Sequence, residues 1–187
     1  MKKIKLFEWI VCSAVLMMVF VWQDKVHKTM LILFPSEYEH LKSITQAIGS
    51  FSFILGIIVF WIFSSILLHS IAILVNTNIK TDYEKLCRRI GIGFVFILIA
   101  LIINRYNLDI YFQNISNFED HALIAFTSSS CFTLCKSINY ISYIFLLFWS
   151  CIILKKAYNM TYGDSLFATA ITATILLGLD FVKNVFI

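Results

Sequence analysis

Chemistry in this chain has to start from a small set of ionisable side chains, and His69 is the most conspicuous of them. It lies in SSILLHSIAIL, residues 64–74, inside a long apolar run that also carries Ser64, Ser65 and Ser70. An imidazole in such a run could relay protons, ligate a metal, or act as an ordinary polar residue near a membrane surface. Helical spacing puts Ser65, His69, Ala72 and Asn76 on one face. Gly49, Ser52 and Gly56 fall on nearly the opposite face, a small-residue surface suited to close helix packing. A proton relay needs a chain of titratable groups, and a metal needs three or four ligands. Neither assembles here, because no second His, Asp or Glu is expected at the depth of His69. Glu8 belongs near the inner end of the first apolar segment. Asp180 belongs near the outer end of the last, with Lys183 at i+3 as its local partner. His69 therefore reads as a hydrogen-bonded residue near the inner interface, with Glu8 as a candidate partner.

The remaining reactive residues carry no recognisable constellation. The five cysteines, Cys12, Cys87, Cys131, Cys135 and Cys151, form no CxxC pair and no zinc spacing. Cys131 and Cys135 share a helical face, but parallel Cβ vectors make a disulfide there awkward. There is no phosphate-binding loop, no HExxH and no GxSxG. Glu8, His69, Asp82 and Glu84 all fall near one membrane surface, yet no nucleophile or metal set accompanies them. No catalytic residue, metal or cofactor is expected.

The elements that must position these residues are membrane helices. The chain has 187 residues, of which 60% are hydrophobic and only 14% charged, with a mean hydropathy of +0.85. A soluble domain is closer to half apolar and a quarter charged. One proline and six glycines favour unbroken helices. The apolar pattern predicts an all-α, polytopic bundle of five spans in a single domain, over about 6–22, 48–75, 86–103, 138–154 and 165–182, since a span needs ~20 apolar residues. The centre of the second span lies near residue 61 or 62. His69 is then ~11 Å inward at 1.5 Å per residue, inside a half-thickness of ~15 Å. The first segment starts MKKIK and ends VFVWQDK without a small-x-small cleavage site, so it reads as an uncleaved anchor.

Positive charge sets the orientation. With the N-terminus inside, the inner segments hold Lys2, Lys3, Lys5, Lys80, Lys85, Arg88, Arg89, Lys155 and Lys156. The longer outer segments hold Lys25, Lys28, Lys42, Arg105, Lys136 and Lys183. The expectation is N-terminus inside, C-terminus outside. Arg88, Arg89, Lys155 and Lys156 then face lipid headgroups or a partner. Thr81-x-x-Glu84 has the form of a capping box, with Glu84 and Arg88 at i, i+4. Thr161-x-x-Asp164 is similar, with Gly163 allowing a bend. Ser36 is a candidate cap for a short amphipathic helix. Residues 121–137 either lie in the interface or extend the fourth helix. Asn114-Ile115-Ser116 is a glycosylation sequon. In the last segment, Ala168 and Thr172 are small residues four apart, suited to packing or to a dimer.

Two stretches resemble the Yip1 family, in the form of a small bacterial member. One is LLHSIAILVNTNIKTDYEKLCRRIGIGFVFILIALI, residues 67–102, and the other LLFWSCIILKKAYNMTYGDSLFATAITATI, residues 146–175. The first is similar to the family's second helix, loop and third helix. The second is similar to its fourth helix, turn and alanine-containing fifth helix. Asn76 and Asn78 stand where relatives carry glycines, and the third segment has no proline. The resemblance implies fold and topology, and the short stretch before the first helix favours a bacterial inner membrane. The vesicle-traffic role of eukaryotic relatives does not transfer, since only MKKIK precedes Leu6. The function expected is non-catalytic: binding lipids, a membrane-protein partner or a second copy, or organising the membrane, with no nucleic acid. The alternative is a small oligomeric transporter or channel with Ser65, His69 and Asn76 along its path. Against it stand the absence of paired intramembrane charges and of broken helices.

Overall fold

The computed structural model describes residues 2–31, 39–75, 83–113 and 122–186, nearly all of them helical. In chain order the helices are α1 (Lys2–Met30), α2 (Glu39–Val75), α3 (Tyr83–Gly93), α4 (Val95–Gln113), α5 (Ala122–Thr127), α6 (Ser130–Tyr158) and α7 (Tyr162–Phe186). No strand occurs among the described residues. Among them, Lys5–Met30, Ile44–Val75, Tyr83–Gln113 and Ser130–Tyr158 are helices long and apolar enough to cross a membrane. The last helix, α7, has 25 residues.

The helices outrun the apolar segments, and short-range polar contacts account for it. Expected to stop near residue 22, α1 continues to Met30. There Lys28 pairs with Asp24 at 2.6 Å, and the Thr29 hydroxyl donates to the Lys25 carbonyl at 3.0 Å. Such i,i+4 contacts keep polar turns helical. In the same way Arg105 pairs with Asp109, and α4 reaches Gln113 rather than ending near residue 103. The region 121–137 divides at a bend. Ser129 caps α6: its hydroxyl donates to the Phe126 carbonyl at 2.6 Å and accepts the Phe132 N–H at 3.2 Å. Residues from Ser130 onward thus belong to α6.

Between α3 and α4 the only interruption is a turn at Phe94, bridged by Leu98 N–H donating to the Phe94 carbonyl at 2.9 Å. Two glycines just before it, Gly91 and Gly93, weaken the helix locally. The turn between α6 and α7 is made by Asn159, whose φ of 49° is the left-handed region that asparagine tolerates. Gly163, expected to bend the chain, lies instead in the first turn of α7 without a positive φ. Thr161 caps that helix. Its hydroxyl donates to the Asp164 carboxylate at 2.8 Å and accepts the Asp164 N–H at 3.1 Å.

Contacts sort the chain into two compact units. One comprises residues 1–14, 58–93 and 145–187; the other comprises 15–57 and 94–144. In the first, Cys12, Leu68, Ala72, Leu86, Ile90, Leu154 and Ala168 are almost wholly buried. In the second, Val19, Leu31, Phe94, Ala100, Leu108 and Phe126 play that part. Along α2, Phe51, Leu55, Val59, Ile62 and Ile66 stay exposed. An apolar strip this long costs free energy in water and none in hydrocarbon. Asn76, Ser36, Thr81, Asp82 and the sequon at Asn114 lie outside the described residues, as do the side chains of Asp180 and Lys183.

Candidate functional site

The first unit gathers its charge around α3. Arg88 is 1% exposed, although it was expected to face headgroups. Its Nη1 donates to Glu84 Oε1 at 2.6 Å, one turn back on the same helix. Its Nε donates to Glu8 Oε2 on α1 at 3.3 Å. Arg89 reaches the other oxygen of the same carboxylate, with Nη2 at 3.2 Å and Nε at 3.3 Å from Glu8 Oε1. Two acids and two bases thus form a formally neutral quartet joining α1 to α3. Neutrality matters, because an unpaired buried guanidinium would keep its full desolvation cost. The correction for Arg88 has a simple cause: a carboxylate from each side draws it inward, away from any headgroup.

Indole rings frame this quartet. Trp9 Nε1 donates to Glu84 Oε1 at 3.0 Å, and the Arg88 guanidinium lies 5.7 Å from the centre of the Trp9 ring. Trp9 meets Trp61 edge-on, with centroids 6.2 Å apart. Trp61 Nε1 on α2 then donates to the Cys87 carbonyl at 2.8 Å. Trp149 Nε1 on α6 donates to the Arg89 carbonyl, also at 2.8 Å. Both acceptors belong to a helix whose carbonyls normally serve only the N–H four residues on. Here the residues four on are Gly91 and Gly93. A Cβ at Gly91 would meet Trp61 Nε1 at 3.0 Å and collide with the Cys12 sulfur. A Cβ at Gly93 would meet Trp149 Nε1 and Leu146 Cδ1 at 2.9 Å each. The two glycines therefore open α3 so that indoles from two other helices reach its backbone. The spacing of Gly91 and Gly93 was the available signal; it went unread because no partner for them was visible.

His69 lies in the same unit, and its partner is not Glu8, which the two arginines occupy. The His69 Nδ1 and the Tyr158 hydroxyl share a 2.7 Å hydrogen bond. The Tyr83 and Tyr158 rings lie edge-on to the imidazole, at 5.1 and 6.0 Å. Ser65 is fully buried, and its hydroxyl donates to the Trp61 carbonyl at 2.7 Å. Both described polar members of that face thus make a hydrogen bond inside the protein, His69 through Nδ1. Asn76 falls outside the described residues.

The expected packing residues divide. Ala168 and Thr172 are buried, and the Thr172 hydroxyl returns to the Ala168 carbonyl at 2.9 Å. The His27 ring fills the space over Gly49. Ser52 is exposed, and a Cβ at Gly56 would meet nothing within 4 Å. At the α6–α7 turn, Lys156 is exposed, while the Lys155 ammonium lies 2.9 Å from the centre of the Tyr162 ring. Tyr162, Leu166 and Phe167 are all well exposed beside it.

Among the described residues no three His, Cys, Asp or Glu side chains could hold a metal ion, and the five cysteines are free thiols. The chain matches no protein-family model, no curated protein and no solved structure.

Proposed function

We propose that this chain is an integral membrane protein of Yip1-like type that works by binding rather than by catalysis. Its five spans in this reading are α1, α2, α3 with α4, α6 and α7, with the N-terminus inside a bacterial inner membrane. The observation that carries the reading is the contrast between the two basic clusters expected at one surface. Arg88 is consumed by Glu8 and Glu84, whereas Lys155 and Lys156 close α6 beside an exposed Tyr162. A lysine pair with an exposed aromatic at a helix end suits anionic headgroups or an acidic segment of a partner. Arg89 holds Glu8 and stays 29% exposed, so part of its guanidinium remains available to the same class of ligand. Against a conducting path, the Ser65 hydroxyl is spent on the Trp61 carbonyl and His69 Nδ1 on the Tyr158 hydroxyl.

The test is a charge reversal of Lys155 and Lys156, with Arg89→Gln as a third variant. Each variant is purified from native membranes in mild detergent, and its co-purifying proteins and lipids are quantified by mass spectrometry. The expected outcome is loss of a stoichiometric protein or anionic-lipid partner with the helical content unchanged. Identical recovery from variant and parent would remove this surface as the contact. Compartment-specific reporters on both termini check the five-span topology, and reporters placing both ends on one side would end it.

A further inference from the structure

A second cluster of cations has no counterpart in that reading. In the second unit, Lys25, Lys28 and Thr29 of α1 and Arg105 of α4 line an open cavity of about 210 Å³. The three cations come from two helices, and their local partners leave donors over. Lys28 is held by Asp24, which also accepts the Ser50 hydroxyl. Arg105 is held by Asp109 through Nη1 alone. A guanidinium carries five N–H donors in a fixed fork. Among the described residues its Nε and Nη2 have no protein partner. Lys25 lies over the Trp22 ring, 4.4 Å from its centre, with no described carboxylate against it. Three positive and two negative charges leave a net of +1 at the cavity. The Thr29 hydroxyl is already donated to the Lys25 carbonyl, so its oxygen lends polarity and no donor.

Position adds to charge. The unbroken apolar run of α1 stops at Trp22, and Lys25 and Lys28 follow within two turns. Tryptophan followed by lysine marks the headgroup level of a bilayer. On the other side of Trp22, Met17 and Met18 are exposed, offering apolar surface for acyl chains. Arginine with lysine is the donor set that takes phosphate oxygens.

We infer that the Lys25–Lys28–Arg105 cavity binds a phosphate group, and that this phosphate is the headgroup of an anionic phospholipid. The lipid source rests on the membrane reading above; the affinity for phosphate oxygens does not.

The experiment uses the full chain, delipidated in a non-ionic detergent, titrated with dioleoylphosphatidylglycerol and read by native mass spectrometry. Lys25→Gln and Arg105→Gln should each cut retained lipid about fivefold, the effect of one cation near a charged surface. Lys136→Gln, another cation of the same unit, should leave it unchanged. Asp109→Asn removes a competing carboxylate and should raise retention, a change that faulty folding would not produce. Displacement of the lipid by millimolar inorganic phosphate would keep the phosphate site and make its source a free anion. Equal retention in Lys25→Gln, Arg105→Gln and the parent, or an equal loss in Lys136→Gln, overturns the proposal. A loss seen only after reversal of Lys155 and Lys156 also overturns it, while leaving the functional reading intact.

Discussion

The two units place ionic groups differently. Around α3, Glu8 and Arg88 pair across helices from positions 80 residues apart, and Arg88 is 1% exposed. In the other unit, Asp24 with Lys28 and Arg105 with Asp109 pair along their own helices, four residues apart and partly exposed. A pair within one helix can form before any tertiary structure exists, so it lengthens the helix without choosing a neighbour. A pair between helices forms only when the neighbour is in place, so it reports on the fold itself. The Trp61 and Trp149 hydrogen bonds to α3 carbonyls are of the second kind.

The largest effect expected from this contrast is at Arg88. Arg88→Met should cost up to about 3 kcal/mol, because Glu8 is left with Arg89 alone and Glu84 loses its ion pair. Thermal unfolding in detergent would show it, and the double variant Glu8→Gln/Arg88→Met should recover part of the loss. If Arg88→Met and Arg105→Met unfold alike, the distinction between the units collapses. Next come the glycines. Gly93→Ala should destabilise by about 1–3 kcal/mol through overpacking against Trp149 and Leu146. Gly56→Ala should be neutral or stabilising, as its Cβ would enter open space; equal effects at the two positions would argue against the indole-docking account. Tyr158→Phe deletes the His69 bond and should cost about 1 kcal/mol. A loss many times larger would mean that the Tyr158 hydroxyl serves more than His69. The smallest effect belongs to Asp24→Asn, about 0.3–0.5 kcal/mol and shrinking as salt is added. A salt-independent loss there would point to the Ser50 hydrogen bond rather than to Lys28.

The helical class and four of the apolar segments were legible in the sequence because an apolar run of bilayer length is costly anywhere but in lipid. Helix ends were not, since Asp24–Lys28 and Arg105–Asp109 prolong helices through residues that look like loop. Arg88 was the plainest misreading. Residue type placed it at a headgroup, but the carboxylate that decides its position lies on another helix. Glu8 was likewise given to His69 on depth alone, whereas Tyr158, 89 residues further on, holds the imidazole. Three of the four tryptophans meet around α3, a convergence that no local pattern encodes.

The Cys12 thiol occupies the space that a side chain at position 91 would take, and it is fully buried there. Alkylation of Cys12 therefore requires α1 to come away from α3. The rate at which a small maleimide modifies this one sulfur, resolved by peptide mapping, is a clock for that separation. The protein thus carries its own gauge of how often its quartet of charges opens, readable in detergent solution under mild denaturant with no residue changed.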